Sequence, residues 1–315
     1  MAMPPSASIV IANLNGGAHL PACLAALRAQ TCGDFETILV DNASTDGSPE
    51  AVEHDFPEVR VLRLPANRGF APASNAGLRA AAGGVLILLN NDTEAAPDWL
   101  AEGLAAFERH PEAGSLACKL LLFDRRQVLH AAGDISRLDG TPGNRGVWQE
   151  DRGQYPEGPV FSANGGAAAY RRAMLDDVGL LDDDFFFSLE DVDLGWRAQL
   201  RGWPCLYAPR AVVYHKLSAT GGGVIHSYYN GRNFLYVLAK DVPADVWRKH
   251  AWRMLGAQLR ITGEALRAWR GREARARLRG QLAGLLTWPR MLGKRRAVQA
   301  RRKVSLAHLE SLLTP

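Results

Sequence analysis

The run Phe185-Phe-Phe-Ser-Leu-Glu190-Asp191-Val-Asp193-Leu-Gly-Trp196-Arg197 places an acidic pair, and a third carboxylate two residues on, beside an aromatic cluster. Carboxylates next to apolar surface lose hydration, which favours the neutral form and raises the pKa. A carboxylate poised in this way is what a general base needs. The same residues also suit an acidic helix N-terminus opposing the macrodipole, and Ala198 to Trp203 reads as a helix closed by Gly202. Three further clusters carry polar groups: Asn13-Leu-Asn15-Gly16, Asp41-Asn42-Ala-Ser44-Thr-Asp46-Gly47-Ser48 and Leu89-Asn90-Asn91-Asp92-Thr93. In the second, Asp41 is able to accept from a base-ring N–H, and the hydroxyl residues cap a helix whose N-terminus tolerates anions. In the third, oxygen ligands past a buried strand suit magnesium or manganese bridging a diphosphate. Each cluster alone is ordinary turn chemistry. Three at successive strand ends indicate a crevice.

The elements that position these clusters alternate. Ala7–Ala12 is a β-branched run and reads as a strand; His19 to Gln30 has helical spacing, with Leu20, Cys23, Leu24 and Leu27 on one face. Strands follow at Glu36–Val40, Val59–Arg63 and Val85–Leu89, and helices at the Ser44–Pro49 start, Ala71–Ala82 and Pro97–Arg109. Such alternation predicts an α/β fold with a mostly parallel, Rossmann-like central sheet covered on both faces. Ligands bind such sheets at the carboxyl ends of the strands, which is where Asn13, Asp41 and Asn90–Asp92 lie. Residues 120–162 are punctuated by Gly and Pro and read as irregular loops with a strand or two.

The chain has 315 residues, 47% apolar and 22% charged, which suits a folded protein with ample core. Its four cysteines are scattered without CxxC spacing, which excludes a zinc ribbon or a disulfide framework and suits a reducing compartment. The opening residues have no basic start and no apolar core, so no signal peptide is expected, and no apolar stretch is long enough to span a bilayer. Charge is uneven. Residues 1–243 carry 20 Lys and Arg against 29 Asp and Glu, whereas residues 244–315 carry 17 against 4. An acidic body with a basic tail gives the tail its own electrostatic partner. Trp247, Trp252, Trp269 and Trp288 interleave with arginines there, a pattern suited to an anionic membrane surface. The competing structure is a helical hairpin packed on the body with its arginines solvated or paired. Nucleic acid is excluded as a partner because the acidic body repels a phosphate backbone.

In order, the segments Ser8–Gly16, Val40–Ser48, Asn67-Arg-Gly-Phe-Ala-Pro-Ala-Ser-Asn75-Ala-Gly77, Leu89–Thr93, Asn164-Gly-Gly-Ala-Ala-Ala-Tyr-Arg-Arg172, Phe187–Leu194 and Val213-Tyr-His215-Lys-Leu-Ser-Ala-Thr220 resemble an inverting family 2 glycosyltransferase with the GT-A fold, of the rhamnosyltransferase-like branch. The resemblance spans roughly residues 6–240 and divides the chain into a glycosyltransferase domain, 1–240, and a basic helical segment, 241–315. It implies that Asp41 and the Asn13 loop hold the nucleotide base, with Asn15, Asn67, Arg68, Asn75, Asn90 and Asn91 on the donor side. Asp92 matches the metal-binding end of an Asp-x-Asp motif whose first position is Asn90 here, and His215 matches a further ligand for Mg2+ or Mn2+. Asp191 matches the catalytic base. Gly165 and Gly166 are assigned to close approach of the sugar, and Glu190 and Trp196 to the acceptor side.

The function so implied is metal-dependent, inverting transfer from dTDP-rhamnose or a UDP-sugar to a hydroxyl of a cell-surface polysaccharide or polyprenyl-linked glycan. The enzyme is then expected in the cytoplasm at the inner face of the cell membrane, with oligomer formation left open. One alternative is a nucleotidyltransferase, which needs a Gly-rich phosphate cradle after the first strand, and Asn13-Leu-Asn-Gly-Gly17 is a poor one. The other is a catalytically inactive nucleotide-sugar-binding module, which has no use for the Glu190–Asp191 pair.

Overall fold

The computed structural model describes residues 4–216 and 222–315. The first three residues, part of the stretch read for a signal peptide, and residues 217–220 of the His215 motif lie outside the described residues. The first third folds as β1 (Ala7–Asn13), α1 (Leu20–Arg28), β2 (Phe35–Asp41), α2 (Ser48–Asp55), β3 (Arg60–Arg63), α3 (Phe70–Ala80), β4 (Val85–Leu89), β5 (Thr93–Ala95) and α4 (Trp99–Arg109). Proline stands in the first turn of α1 and α2, where a missing N–H costs nothing. All five residues of β4 are buried, as a central strand covered on both faces requires.

The middle of the chain carries β6 (Ser115–Leu122), β7 (Arg125–Ala132), β8 (Asp134–Arg137), β9 (Pro142–Asn144), β10 (Gly158–Val160) and β11 (Ala167–Arg171). Residues 120–162 are thus richer in strand than their composition indicates. β8 has four residues there and β9 and β10 three each, too brief to show a period of two. Then follow α5 (Arg172–Val178), a 3-10 turn at Asp183–Phe185, α6 (Glu190–Arg201) and β12 (Cys205–His215).

The main sheet runs β10-β12-β6-β11-β4-β1-β2-β3, with β5 joined to β12 and β7 to β6. β1 is parallel to β2 and β4, and β2 to β3, while β11 runs antiparallel to both β4 and β6. This reversal positions the site. Ala167 pairs with Leu89, so the loop Asn164–Gly166 arrives at the edge where β4 ends. Thr93 of β5 pairs with His215 of β12, which draws Asp92 and His215 together.

The C-terminal region forms α7 (Gly223–Lys240), α8 (Ala244–Arg267), α9 (Arg272–Leu286), α10 (Trp288–Ala300), α11 (Leu306–Leu312) and β13 (Leu313–Thr314). It packs against the body. Phe161, Phe185, Val192, Trp196 and Leu200 share one apolar cluster with Leu238, Val246, Met254, Met291 and Leu309. β13 adds to β8 in a small second sheet. Lys294 pairs with Asp182 and Asp184, and Arg301 with Asp177 at 3.0 Å, so acidic residues of the body neutralise part of the basic segment. Among the described residues no helix is long and apolar enough to cross a membrane.

Candidate active site

A cleft of about 870 Å³ opens along the carboxyl edge of β1 and β4. Its rim is a lattice of asparagines, each of which donates and accepts. Asn13 Nδ2 donates to Ser48 Oγ at 3.0 Å and Ser44 Oγ at 3.2 Å, while its Oδ1 accepts from Asn91 Nδ2 at 2.8 Å. Asn15 Oδ1 accepts from the Thr45 N–H at 2.7 Å. Asn42 Nδ2 donates to Asn67 Oδ1 at 3.0 Å, and Asn42 Oδ1 accepts from the Arg68 N–H at 2.8 Å. Three strand ends are thereby fixed to one another without net charge, on the side expected to meet a nucleotide.

Beside this rim His215 Nε2 lies 3.2 Å from Asp92 Oδ1, both groups buried. His215 Nδ1 is 3.0 Å from Nδ1 of His130 on β7. Burial, and secondly the charge of His215, pulls His130 down to about 3, so its ring is neutral. One of the two facing nitrogens must carry the proton. When His215 donates it, the Nε2 lone pair is left toward Asp92, the tautomer a metal requires. No group of three or more His, Cys, Asp or Glu with metal-holding geometry occurs among the described residues. Two protein ligands nonetheless fit Mg2+ or Mn2+, whose octahedra are commonly completed by substrate phosphates and water. Asn90, also lining the cleft, brings a neutral amide to the position of the first motif carboxylate.

The loop Asn164-Gly165-Gly166 joins this edge to the acidic pair. The Asn90 N–H donates to the Gly166 carbonyl at 3.0 Å, and the Gly165 N–H donates to Asp191 Oδ2 at 2.7 Å. A Cβ on Gly165 would stand 3.1 Å from the same oxygen, a tight contact. Asp191 Oδ1 accepts from the Val192 N–H at 2.8 Å. Burial raises the Asp191 carboxyl, and these two amides oppose the rise by stabilising its anion. Its neighbours are pushed further. Burial, then the charge of Asp191, takes Glu190 up to about 8, and Glu190 Oε2 has no hydrogen-bond partner among the described residues. Asp134, at the start of β8 and bonded by Asn164 Nδ2 at 3.3 Å, is raised well above the carboxylate range by burial and by Asp191. Of the three carboxyls, Asp191 is the one whose rise two backbone amides oppose, which makes it the best placed of them to be the anion.

Asp191 is presented by a strained turn. Phe186, Ser188 and Leu189 have φ of 61°, 68° and 65°, conformations costly for residues with a Cβ. Helix α7 holds them: Asn233, fully buried, donates from Nδ2 to the carbonyls of Phe185, Phe187 and Ser188 at 2.9, 2.9 and 2.7 Å. Phe186 stacks on Tyr229, and Ser188 Oγ donates to Asn230 Oδ1 at 2.7 Å.

Asn13, Asn15, Asn67, Asn90, Asn91, Asp92, Gly165, Gly166, Glu190, Asp191 and His215 all line this one cleft. Asp41 and Arg68 are not in its lining; Asp41 is buried and accepts from the Ser44 N–H at 3.1 Å, and Arg68 is exposed on the outer rim. Two expectations are corrected. Asn75 is buried inside the fold, its amide binding the Leu181 backbone and Asp183, so it ties α3 to the 3-10 turn and does not meet a donor. Trp196 is 1% exposed and packs edge-on against Phe161, which leaves no face for a sugar. Sequence reasoning missed His130 and Asp134. Neither sits in a motif, and only the pairing of its strand brings it to the site.

The model of the family described as "Glycosyl transferase family 2" matches residues 8–179. The chain belongs to this family. Within it, this glycosyltransferase is 30% identical over 273 residues to an N-acetylglucosaminyl-diphospho-decaprenol L-rhamnosyltransferase of Mycobacterium tuberculosis, a match covering 79% of this chain and 89% of the relative. Its GT-A-like fold is shared with a mannosyltransferase of Pyrobaculum calidifontis solved with GDP-Man and Mn2+ (TM-score 0.57, 18% identity, 99% of this chain and 79% of that one). It is also shared with residues 1–349 of S. aureus TarS solved with UDP (TM-score 0.57, 18% identity, 94% and 90%). The glycosyltransferase is thus rhamnosyltransferase-like.

Proposed function

We propose that this enzyme moves a sugar, first of all rhamnose from dTDP-rhamnose or else the sugar of a UDP-sugar, onto a hydroxyl of a polyprenyl-linked or cell-surface glycan with inversion at the anomeric carbon. The observation that carries the reading is Asp191. Its carboxylate faces the same cleft as the asparagine rim and is anchored through Gly165 to the loop that also bonds Asn90. In the reaction, Asp191 takes the proton of the acceptor hydroxyl as that oxygen bonds to the anomeric carbon. The bond from that carbon to the diphosphate oxygen breaks, and its electron pair leaves with the nucleoside diphosphate. Glu190 and Asp134, whose carboxyls burial raises, are able in their protonated forms to donate hydrogen bonds to the acceptor. Asp92 and His215 would hold Mg2+ or Mn2+, which when bound offsets the charge developing on the diphosphate. The asparagine rim orients the nucleotide.

The acceptor named for the mycobacterial relative supports a lipid-linked substrate. So do the exposed Trp252 (84%), Leu259, Trp269 and Leu286 beside Arg253, Arg260 and Arg270, a surface suited to docking on the anionic inner face of the cell membrane. The test is Asp191→Asn. Transfer should fall by about 10²–10⁴-fold, while the rise in melting temperature produced by dTDP or UDP with Mn2+ is kept, since that rise reports binding to the folded state alone. Proton NMR of the wild-type product reads the anomeric configuration. Transfer surviving in Asp191→Asn, or a product of retained configuration, would remove the base assignment.

A further inference from the structure

One wall of the cleft is built by the C-terminal helices. Ile225, His226, Asn230 and Phe234 come from α7, Ile261 from α8 and Arg277 from α9. Among the described lining residues Arg277 is the one Lys or Arg, whereas the carboxylates Asp92, Asp134, Glu190 and Asp191 gather toward the strand ends and the base. No hydrogen bond or ion pair of the Arg277 side chain is found among the described residues. Burial lowers its pKa, with Glu264 acting in the other direction, and the Arg277 charge in turn helps to lower that of His226.

Arg277 sits on a rigid support. A Cβ at Gly231 would lie 2.4 Å from the Arg277 carbonyl, one at Gly280 2.0 Å from the Tyr228 carbonyl, and one at Gly284 3.0 Å from the Arg232 carbonyl. Glycine at these positions lets the backbones of α7 and α9 meet, which fixes Arg277 one turn before the closest contact. A half-buried guanidinium beside apolar side chains is costly unless an anion joins it, and its planar fork matches phosphate oxygens. Ile225 is 57% exposed at the same mouth, so apolar and cationic groups are offered together.

We propose that this wall of the cleft is a phosphate subsite for the acceptor: Arg277 binds the diphosphate of a polyprenyl-diphosphate-linked glycan, and Ile225, Phe234 and Ile261 cover its first isoprene units. The assignment rests on the reading of the enzyme as a transferase to lipid-linked glycan. It orders the acceptor along the cleft, with the glycan hydroxyl at Asp191, the diphosphate at Arg277 and the lipid leaving past α7 and α8.

The test uses the full chain with its donor site saturated by dTDP or UDP, whichever raises the melting temperature. Farnesyl diphosphate, farnesol and inorganic pyrophosphate are then titrated calorimetrically into wild type, Arg277→Gln and Arg277→Lys. Farnesyl diphosphate should bind wild type, weaken by about 10–100-fold in Arg277→Gln and by less in Arg277→Lys, as loss of a charge-assisted pair requires. Farnesol binding should not change between variants, and pyrophosphate should bind more weakly than its farnesyl ester. The nucleotide-induced rise in melting temperature should be the same in all three proteins; were Arg277→Gln to fail to fold, Arg277→Lys carries the comparison. If nucleotide binds and Asp191-dependent transfer occurs, yet farnesyl diphosphate does not bind or binds all three proteins equally, the subsite is overturned and the function stands. If no nucleotide binds wild type, the function falls and the subsite with it.

Discussion

Removing the Asn233 side chain should disable the enzyme without emptying its donor site. The two protons of this amide serve three carbonyls of a turn whose Phe186, Ser188 and Leu189 have positive φ. Such residues cost about 1–3 kcal/mol each and persist only where the surroundings over-determine them. Asn233→Ala leaves buried carbonyls unsatisfied at about 1–3 kcal/mol apiece. Arg232 still bonds the carbonyls of Asp184 and Phe185 at 2.8 Å, and the turn is free to relax, which holds the net loss to about 2 kcal/mol. A melting temperature about 4 °C lower follows for a chain of this size. Relaxation moves Leu189, the residue before the acidic pair, and a displacement of about 1 Å at a reacting group costs about 100-fold. The assay is kcat for transfer set beside the nucleotide-induced rise in melting temperature. We expect kcat to fall about 10–100-fold, with the nucleotide response retained because the Asn233 amide donates to the turn and not to the asparagine rim. If kcat stays within twofold of wild type while stability drops, Asn233 does not position the base and the strain at the turn has no part in catalysis.

Three other outcomes are specific. Glu190 has a folded pKa of about 8 against an ordinary 4.5, so between those values the folded protein binds more protons than the unfolded chain and loses stability as pH rises, levelling above about 8. Denaturation midpoints of Glu190→Gln and wild type should therefore agree near the lower limit and separate progressively in favour of the variant toward the upper one; a constant gap would contradict the assignment. Lys240, 3% exposed, pairs with Asp182 at 2.7 Å and with Asp193, which is fully buried and also pairs with Arg197 at 2.8 Å. Lys240→Met should cost about 3–5 kcal/mol in urea unfolding, as expected when one member of a buried ion network is removed, and a loss below about 1 kcal/mol would mean that the network behaves as a surface pair. His130→Phe, removing the ring that orients His215, should weaken Mn2+ binding in the presence of nucleotide by about 10–100-fold in an electron paramagnetic resonance titration; unchanged affinity would show that the His215 tautomer is set elsewhere.

The parallel half of the fold was legible because its elements are long and periodic. Leu20, Cys23, Leu24 and Leu27 of α1 are all buried, as their spacing requires, and β4 is apolar throughout. Most of the strand-end polar groups were legible for the same reason, since a parallel sheet sends its carboxyl ends to one edge. Asn75 and Trp196 misled because both stand one or two turns along helices entered from the site. The helical period carries Asn75 under the 3-10 turn and Trp196 into the core against Phe161. His130 and Asp134 were invisible because the strands of residues 120–162 have no pattern until β7 pairs with β6 and β8 with β9 and β13. The basic charge of the last 72 residues was plain, but its distribution was not: lysines and arginines bound for Asp177, Asp182 and Asp184 look in sequence like those left facing water.

That distribution separates two tasks which one basic segment would otherwise confuse. α7 and α10 face inward. They meet the aromatic turn and the acidic loop ahead of α6 through Asn233, Arg290 and Lys294, so they support the turn that presents Asp191 and their charge is largely spent within the fold. α8 and α9 carry the exposed Trp252, Leu259, Leu282 and Leu285, and between them contribute Ile261 and Arg277 to the cleft. The exposed apolar surface and the cleft wall that offers Ile261 and Arg277 are then two sides of the same helix pair. Because α9 is locked to α7 by the glycine contacts at Gly231, Gly280 and Gly284, and α7 grips the turn before Asp191, the wall that carries Arg277 is held in register with Asp191. On the proposed reading a lipid-linked acceptor would need no separate hand-over, because the wall it passes is rigidly continuous with the turn that presents Asp191.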